Sequence, residues 1–258
     1  MSALALALLL SAAEPSLPCR EYVAAIEDGA EREGRLDDLG AVQAYERALP
    51  FDAEALEARL GLARALNALG EAAAGAEAEA PFERALRFSE SLRDSRPDEA
   101  AGHYWVAATR GNLIAFRDGP EKVRLAREIE TSARRALAID PCLAPAYVVL
   151  AITYRELAGL GWFVRGMASG FFGGLPKGSM EDAERLLAMA VDLDPADPFA
   201  RYQLAVTLER RKQPREAMAE LRQAVELAPR CARDLRMQAE AVGRLARLAA
   251  ENPLPRAR

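Results

Sequence analysis

The chain has 258 residues, with 39 acidic against 34 basic side chains and a formal net charge of −5. Ile, Val and Thr, which favour strands, total only 20 residues, and this scarcity argues against a sheet protein of this size. The negative charge argues against a nucleic-acid binder, which needs a basic face. Residues 230–258 carry a local charge of +4, but their arginines alternate with Leu and Ala at helical spacing, as on a solvated helix face.

The N-terminus carries an apolar run over residues 3–13, which is too short to span a bilayer. It ends in the small residues Ser11-Ala12-Ala13 before Glu14-Pro15, a pattern typical of a signal peptide with its cleavage site. We therefore expect residues 1–20 to be a signal peptide and linker, and the protein to be exported, periplasmic or secreted. Its location is cytoplasmic if this run is not a signal. At most peripheral membrane contact is expected, because no other segment is apolar over a membrane-spanning length.

Residues 21–251 contain an internal repeat. Its clearest unit, 198–231, has a paired large and small residue, then further large and small residues at helical spacing, and a closing proline. These positions are Leu204, Ala205, Leu208, Ala217, Leu221, Ala224 and Pro229. Two packed helices need small residues where they cross and large ones between, so the pattern predicts a helix pair.

The same phase recurs along the chain, with unit starts near 22, 56, 100, 144 and 198 and a further start at 232. The spacings are 34, 44, 44, 54 and 34 residues, so the three inner units are lengthened, each between its two helices. In the second unit we expect a loop over Gly70–Ala80, with Pro81 starting the next helix. In the third we expect lengthened helices and a turn at Asp118-Gly119-Pro120.

The last elements are a capping helix from Cys231 to Glu251 and a tail over residues 252–258. The sequence thus predicts an all-α solenoid of about five helix pairs with a C-terminal cap and lengthened inner repeats. This pattern resembles the tetratricopeptide repeat. The stretch from Ala101 to Pro195 resembles two groups with lengthened repeats: the T-component of tripartite ATP-independent periplasmic transporters, and the regulator-of-microtubule-dynamics group. The N-terminal apolar run favours the bacterial, exported type.

Residues 159–178 hold seven of the 17 glycines together with large apolar residues. Glycine at this density breaks a helix, while the apolar side chains need burial. The segment is either a lid or interface element, or a plug that fills the solenoid's own groove. Ser179 to Asp182 then form a capping-box start for the following helix.

The resemblance to tetratricopeptide repeats implies a scaffold that binds a protein, with the first helix of each unit lining a concave face. When the inward positions of the repeat are transferred to this sequence, they are mostly apolar, with isolated arginines. Members that bind a peptide carboxylate have Lys and Asn at such positions, so this sequence departs from their pattern. The groove would then take an apolar segment of a partner protein or a small apolar ligand, unless the long helices simply pack against one another. The candidate binding residues are Arg64, Tyr104, Trp105, Asn112, Val148, Ile152, Arg155, Trp162, Phe163, Phe171, Phe172 and Tyr202.

No catalytic motif, metal-binding spacing or phosphate-binding loop is present in the sequence. There is one histidine, His103, and the three cysteines Cys19, Cys142 and Cys231 cannot form a fully paired framework. We expect no enzyme activity, no cofactor and no metal.

Overall fold

The computed structural model of the chain describes residues 17–52, 55–160 and 175–252. Within these ranges the chain forms eleven α-helices, two short 3₁₀ helices and no strand, which confirms the predicted all-α class. The helices are α1 Leu17–Gly34, α2 Asp38–Ala48, α3 Leu56–Ala72, α4 Glu79–Ser95, α5 Ala100–Leu113, α6 Gly119–Ile139, α7 Ala144–Ala158, α8 Met180–Leu193, α9 Pro198–Arg210, α10 Pro214–Glu226 and α11 Ala232–Glu251.

Consecutive helices pack as five pairs and a cap, and the first helices of successive units also contact one another along an inner face. Helices α3, α5, α7, α9 and α11 begin at residues 56, 100, 144, 198 and 232, as the repeat phase predicts. Helix α1 differs, because it begins at Leu17, ahead of the expected start near residue 22.

The two units without extra residues share one turn geometry. Leu36 (φ 58°) and Lys212 (φ 62°) both adopt the left-handed conformation between the helices of their units. In each turn the next residue donates a backbone hydrogen bond of 2.9 Å, from Asp37 to Arg32 and from Gln213 to Leu208. The first and fifth units are therefore built alike. Because this turn is short, each of the two units spans only 34 residues, the shortest repeat length in the chain.

The three inner units are lengthened in different ways. In the second unit, the prediction of a loop over Gly70–Ala80 is wrong. Helix α3 continues to Ala72, a 3₁₀ helix covers Gly75–Ala78, and α4 begins at Glu79, before Pro81. Pro81 is tolerated there because the first-turn amides of a helix have no partner within it. In the third unit α6 is lengthened to 21 residues, as expected, but α5 has only 14 and is followed by the 3₁₀ helix Ile114–Phe116. Gly119 and Pro120, which we expected in the turn, belong to the first turn of α6. In the fourth, the connection between α7 and α8 runs through residues outside the described part of the chain.

The core follows the small and large positions of the repeat. Ala183, Leu187 and Ala190 of α8 are fully buried, as are Ala217, Leu221 and Ala224 of α10. One apolar cluster joins the third to fifth units and the cap, while smaller clusters fill the first two units. The predicted capping box at the start of α8 is present, since the Asp182 amide donates to Ser179 Oγ (3.0 Å) and the Ser179 amide to Asp182 Oδ2 (3.2 Å).

The cap closes the solenoid on itself. Helix α11 contacts α3, and Arg233 Nη1 donates to Glu71 Oε1 at 3.3 Å across 162 residues of sequence. Other arginines of this basic C-terminal region also form ion pairs with the solenoid, such as Arg247 with Glu209 (2.7 Å). Among the helices described, none is long and apolar enough to cross a bilayer.

Candidate functional site

A cavity of about 540 Å³ lies on the inner face of the solenoid; we call it the central groove. Helices α3, α5, α7 and the start of α9 supply its walls, and the loops before α9 and α11 close one side. Its lining residues are Arg64, Asn67, Ala68, Glu71, Tyr104, Trp105, Ala108, Gly111, Asn112, Pro145, Val148, Val149, Ile152, Thr153, Asp194, Asp197, Phe199, Arg230, Cys231 and Arg233. The volume lies within the range of sites that hold drug-sized ligands or a few side chains.

One wall of the groove is apolar and aromatic. Helix α7 contributes three neighbouring apolar side chains, Val148, Val149 and Ile152. They share the inward face because Ile152 follows the two valines by four and three residues, about one helical turn. Tyr104 and Trp105 of α5 pack edge to face, with ring centroids 4.9 Å apart. These side chains offer contact area to an apolar ligand at little cost in conformational entropy.

A hydrogen-bonded chain of polar side chains lies between the inner helices α3 and α5. Asn67 Nδ2 donates to Thr109 Oγ1 at 2.7 Å and to the Ala63 carbonyl at 2.7 Å. Asn112 Nδ2 donates to Asn67 Oδ1 at 3.2 Å and to Glu71 Oε1 at 3.3 Å. Since these contacts join α3 to α5, they fix the width of the groove.

Two arginines at the rim of the groove form short ion pairs with carboxylates of the chain. Arg230 pairs with both carboxylate oxygens of Asp194, at 2.6 and 2.9 Å. Arg64 pairs with Glu33 through Nε (2.6 Å) and also donates to the Tyr45 hydroxyl at 3.2 Å. These two guanidinium groups are held firmly by partners within the chain.

Arg233 is held more loosely. Its guanidinium lies over the Phe199 ring, 3.8 Å from the centroid. It donates to Glu71 at 3.3 Å and to Asp234 at 3.4 Å, while its Nε is buried with no hydrogen-bond partner. Burial lowers the pKa of Arg233, but the carboxylates of Glu71 and Asp234 raise it by more, so the side chain stays charged.

The structure brings six of the candidate binding residues together in the central groove: Arg64, Tyr104, Trp105, Asn112, Val148 and Ile152. Two others lie elsewhere, which corrects their expected placement. Arg155 is 5% exposed and donates from α7 to the Gln203 carbonyl of α9 at 3.1 Å, because α9 packs across the last turn of α7. Tyr202 is 6% exposed, beneath Arg244 of α11. Trp162, Phe163, Phe171 and Phe172 lie outside the described residues.

Residues that the sequence did not single out complete the groove, above all Glu71, Phe199 and Arg233. The only sequence signal for Arg233 was the arginine-rich character of the cap, which does not show which arginine turns inward. Cys231 also lines the groove, and burial raises the pKa of its thiol to about 11, so the thiol is protonated at neutral pH. All three cysteines are free. His103 Nε2 lies 2.9 Å from the Pro97 carbonyl, in a turn contact.

In the described ranges, no group of three or more His, Cys, Asp or Glu side chains could hold a metal ion.

The carboxylate of Asp38, which lies near Glu71, leads to a prediction about the pH dependence of stability. Burial, with the nearby carboxylates of Glu33, Glu71 and Asp37, raises the pKa of Asp38 to about 6. Because the folded-state pKa exceeds the unfolded value, this group's contribution to stability is complete below about pH 4 and is lost as the pH rises through about 6. Asp38→Asn is therefore expected to increase the free energy of unfolding at pH 7.5 by about 1 kcal/mol, allowing for solvent screening, and to leave it unchanged near pH 3.5.

Urea unfolding of both proteins at several pH values would measure this effect. Asp98→Asn is the matched control, because the Asp98 side chain is 95% exposed, and it should leave the pH profile of the wild type intact. An equal shift for Asp38→Asn at pH 3.5 and pH 7.5 would contradict the assignment.

The geometry defines a class of protein, the tetratricopeptide-like helical-repeat solenoid. Solved structures of similar fold include TTC0263, a thermophilic TPR protein of Thermus thermophilus, with 20% identity, a TM-score of 0.67, and coverage of 87% of this chain and 99% of that one. Yeast Tom70 has 14% identity and a TM-score of 0.57 over 91% of this chain and 41% of that one. The pilF protein of Pseudomonas aeruginosa has 14% identity and a TM-score of 0.53, and 91% of each chain is covered. At these identities the likeness is one of fold.

The sequence itself gives the family. The family model described as regulator of microtubule dynamics protein 1-3 matches residues 24–249. The chain therefore belongs to the regulator of microtubule dynamics protein family, which confirms that part of the resemblance drawn from the repeats. Among curated proteins, none is significantly similar in sequence to this chain.

Proposed function

We propose that this protein is a non-catalytic scaffold that binds a segment of a partner protein in the central groove. The observation that carries the proposal is the groove itself: one cavity of about 540 Å³ is lined by apolar side chains, Val148, Val149 and Ile152, and by polar ones, Asn67 and Asn112. A peptide segment needs both kinds of surface, since it presents apolar side chains together with backbone donors and acceptors.

The contact between α11 and α3 limits what the groove can hold. Arg233 and Glu71 join the cap to the second unit, so the groove is closed on that side. A short segment fits such a site better than a long helix lying along all five units. The half-buried, protonated thiol of Cys231 in the groove wall supports a binding role rather than a nucleophilic one.

Filling the groove is the test. Ala108→Trp places an indole in the cavity from the middle of α5, and Ala246→Trp places one on the exposed face of α11 as the matched control. Affinity capture from native extract should recover the same partner with the wild type and with Ala246→Trp. Recovery with Ala108→Trp should fall at least about tenfold. Equal recovery by a correctly folded Ala108→Trp, checked by circular dichroism, would overturn the proposal.

The proposal extends to residues 159–178 as a second contact with the partner. Its support is the composition of that segment, rich in glycine and large apolar residues. Deleting residues 160–174 should weaken partner recovery while the thermal unfolding of the remaining solenoid stays cooperative. Unchanged recovery would remove this segment from the proposal.

A carrier of a small apolar ligand is the second candidate, favoured by a cavity volume in the range of small-molecule sites. Native mass spectrometry of the purified protein would then show an added mass that disappears on denaturation and in Ala108→Trp. Spectra of the empty protein under mild conditions would contradict it.

We also propose that the protein is exported, on the strength of the apolar run over residues 3–13 and the small residues that follow it. Mass spectrometry of the N-terminus of the protein from its native source should show cleavage after Ala13. An intact N-terminus would overturn this proposal.

A further inference from the structure

The outer side of the cap helix α11 carries an apolar surface. Leu235 and Val242 are large apolar side chains, yet they are 50% and 54% exposed. They lie seven residues apart, so they project from the same side of the helix, and the alanines beside them are exposed as well. We call this surface the cap face; its residues are Leu235, Ala239, Val242, Ala246 and Ala249.

An apolar outer side is unusual for the last helix of a repeat array. A terminal helix is ordinarily polar on that side, because no further unit covers it. On α1, the first helix, the exposed Val23 is followed at helical spacing by Glu27 and Glu31, both exposed. No residue of the cap face lines the central groove. The cap face is therefore a second surface, with the composition of a protein interface.

The charges along one edge of the cap face match a second copy of the same helix. In chain order they are Arg236, Glu240, Arg247 and Glu251, and all four are exposed. The outer pair and the inner pair share one midpoint, just after Gly243. A second α11 laid antiparallel across that midpoint places an arginine opposite a glutamate at all four positions. A parallel copy in register would instead place each charge opposite itself, which is repulsive.

Two of these charges also have partners within their own chain. Glu240 pairs with an arginine one turn further along α11 at 2.8 Å, and Arg247 pairs with Glu209 at 2.7 Å. The Glu240 and Arg247 side chains nevertheless remain 56% and 53% exposed. Each can therefore contact a second charge across an interface without leaving its first partner.

We propose that the cap face binds a second copy of this chain, with the two α11 helices antiparallel about a two-fold axis near Gly243. The axis brings the Val242 side chains of the two copies together, with Ala239 of one copy facing Ala246 of the other. Because both copies use the same surface, assembly stops at a dimer. Contact along one helix of 20 residues is smaller than a permanent interface, so we expect a dissociation constant in the micromolar range.

Analytical ultracentrifugation of the full chain between about 1 and 200 μM tests the proposal. The wild type should pass from monomer to dimer over this range and form no larger species. Val242→Glu places two carboxylates beside the two-fold axis and should weaken self-association at least about tenfold. Val23→Glu is the matched control, because Val23 is 44% exposed on α1, and it should dimerise as the wild type does.

Charge reversal tests the antiparallel arrangement. Arg236→Glu and Glu251→Arg should each weaken self-association about fivefold, because either change places like charges opposite each other twice in the dimer. The double variant Arg236→Glu/Glu251→Arg should associate as the wild type does, since its opposite charges face each other again. Single reversals without effect, or a double variant as weak as the single ones, would contradict this arrangement.

Two results would overturn the proposal as a whole. One is a wild type that stays monomeric up to about 200 μM. The other is a Val242→Glu variant, folded by circular dichroism, that dimerises as the wild type does. If a monomeric wild type floats with vesicles of phosphatidylcholine and phosphatidylserine while Val242→Glu does not, the cap face binds a membrane surface instead of a second copy.

Discussion

Replacing Arg155 by alanine is expected to lower the free energy of unfolding by about 3 kcal/mol, whereas methionine should change it by less than about 1 kcal/mol. Arg155 is buried between α7 and α9, where it donates to the Gln203 carbonyl at 3.1 Å and to Thr207 Oγ1 at 3.3 Å. Burial disfavours the charged form of this guanidinium and lowers its pKa. Alanine leaves a cavity, while methionine fills much of the space and removes the charge.

Arg210→Ala is the matched control. Arg155 Nε also pairs with Glu156 Oε1, at 3.1 Å. Arg210 pairs with the same carboxylate at 3.0 Å, but its side chain is 41% exposed, so its loss should cost less than about 0.5 kcal/mol. Urea unfolding followed by circular dichroism would measure all three variants. Groove binding should be unchanged in Arg155→Met, because Arg155 packs behind the groove rather than in it. Equal stability of Arg155→Ala and the wild type would contradict the burial of this side chain.

The repeat could be predicted from the sequence because its physical cause is local. Each unit repeats the same crossing of two helices, so small residues such as Ala183 and Ala217 recur beside large ones such as Leu187 and Leu221. All four are fully buried. The same phase also predicts which side chains of the first helices point inward. Four of the residues predicted in this way line one groove: Tyr104, Asn112, Val148 and Ile152.

The rest of the site could not be predicted because it depends on how the units stack. Val148, Ile152 and Arg155 share one face of α7, yet α9 covers Arg155 and leaves the other two in the groove. Arg233 meets Glu71 across 162 residues, a contact that depends on the accumulated curvature of three lengthened units. Periodicity within a unit carries no information on that curvature.

In the first unit, the packing of Tyr45 between its neighbouring helices affects a residue of the groove. The Tyr45 ring of α2 lies against Gly29 of α1 and Gly61 of α3, where a Cβ on either glycine would come within 2.5 Å of a ring atom. The Tyr45 hydroxyl donates to Glu33 at 2.9 Å and accepts from Arg64 at 3.2 Å. The two glycines thus set the position of the ring, and the ring helps to orient Arg64 at the groove.

Gly61→Ala is accordingly expected to lower the free energy of unfolding by about 3 kcal/mol, because the buried Tyr45 ring is held on its other side by α1 and cannot retreat. In a Tyr45→Ala background the same change should instead stabilise by about 1 kcal/mol, since alanine is the better helix former and the clash is gone. Gly243→Ala, in the middle of α11 with open space around it, is the matched control and should stabilise by about 1 kcal/mol. Chemical unfolding of the wild type, the two single variants Gly61→Ala and Tyr45→Ala, and the double variant measures the coupling between Gly61 and Tyr45. A similar cost for Gly61→Ala with and without the Tyr45 ring would show that the ring does not need the glycine.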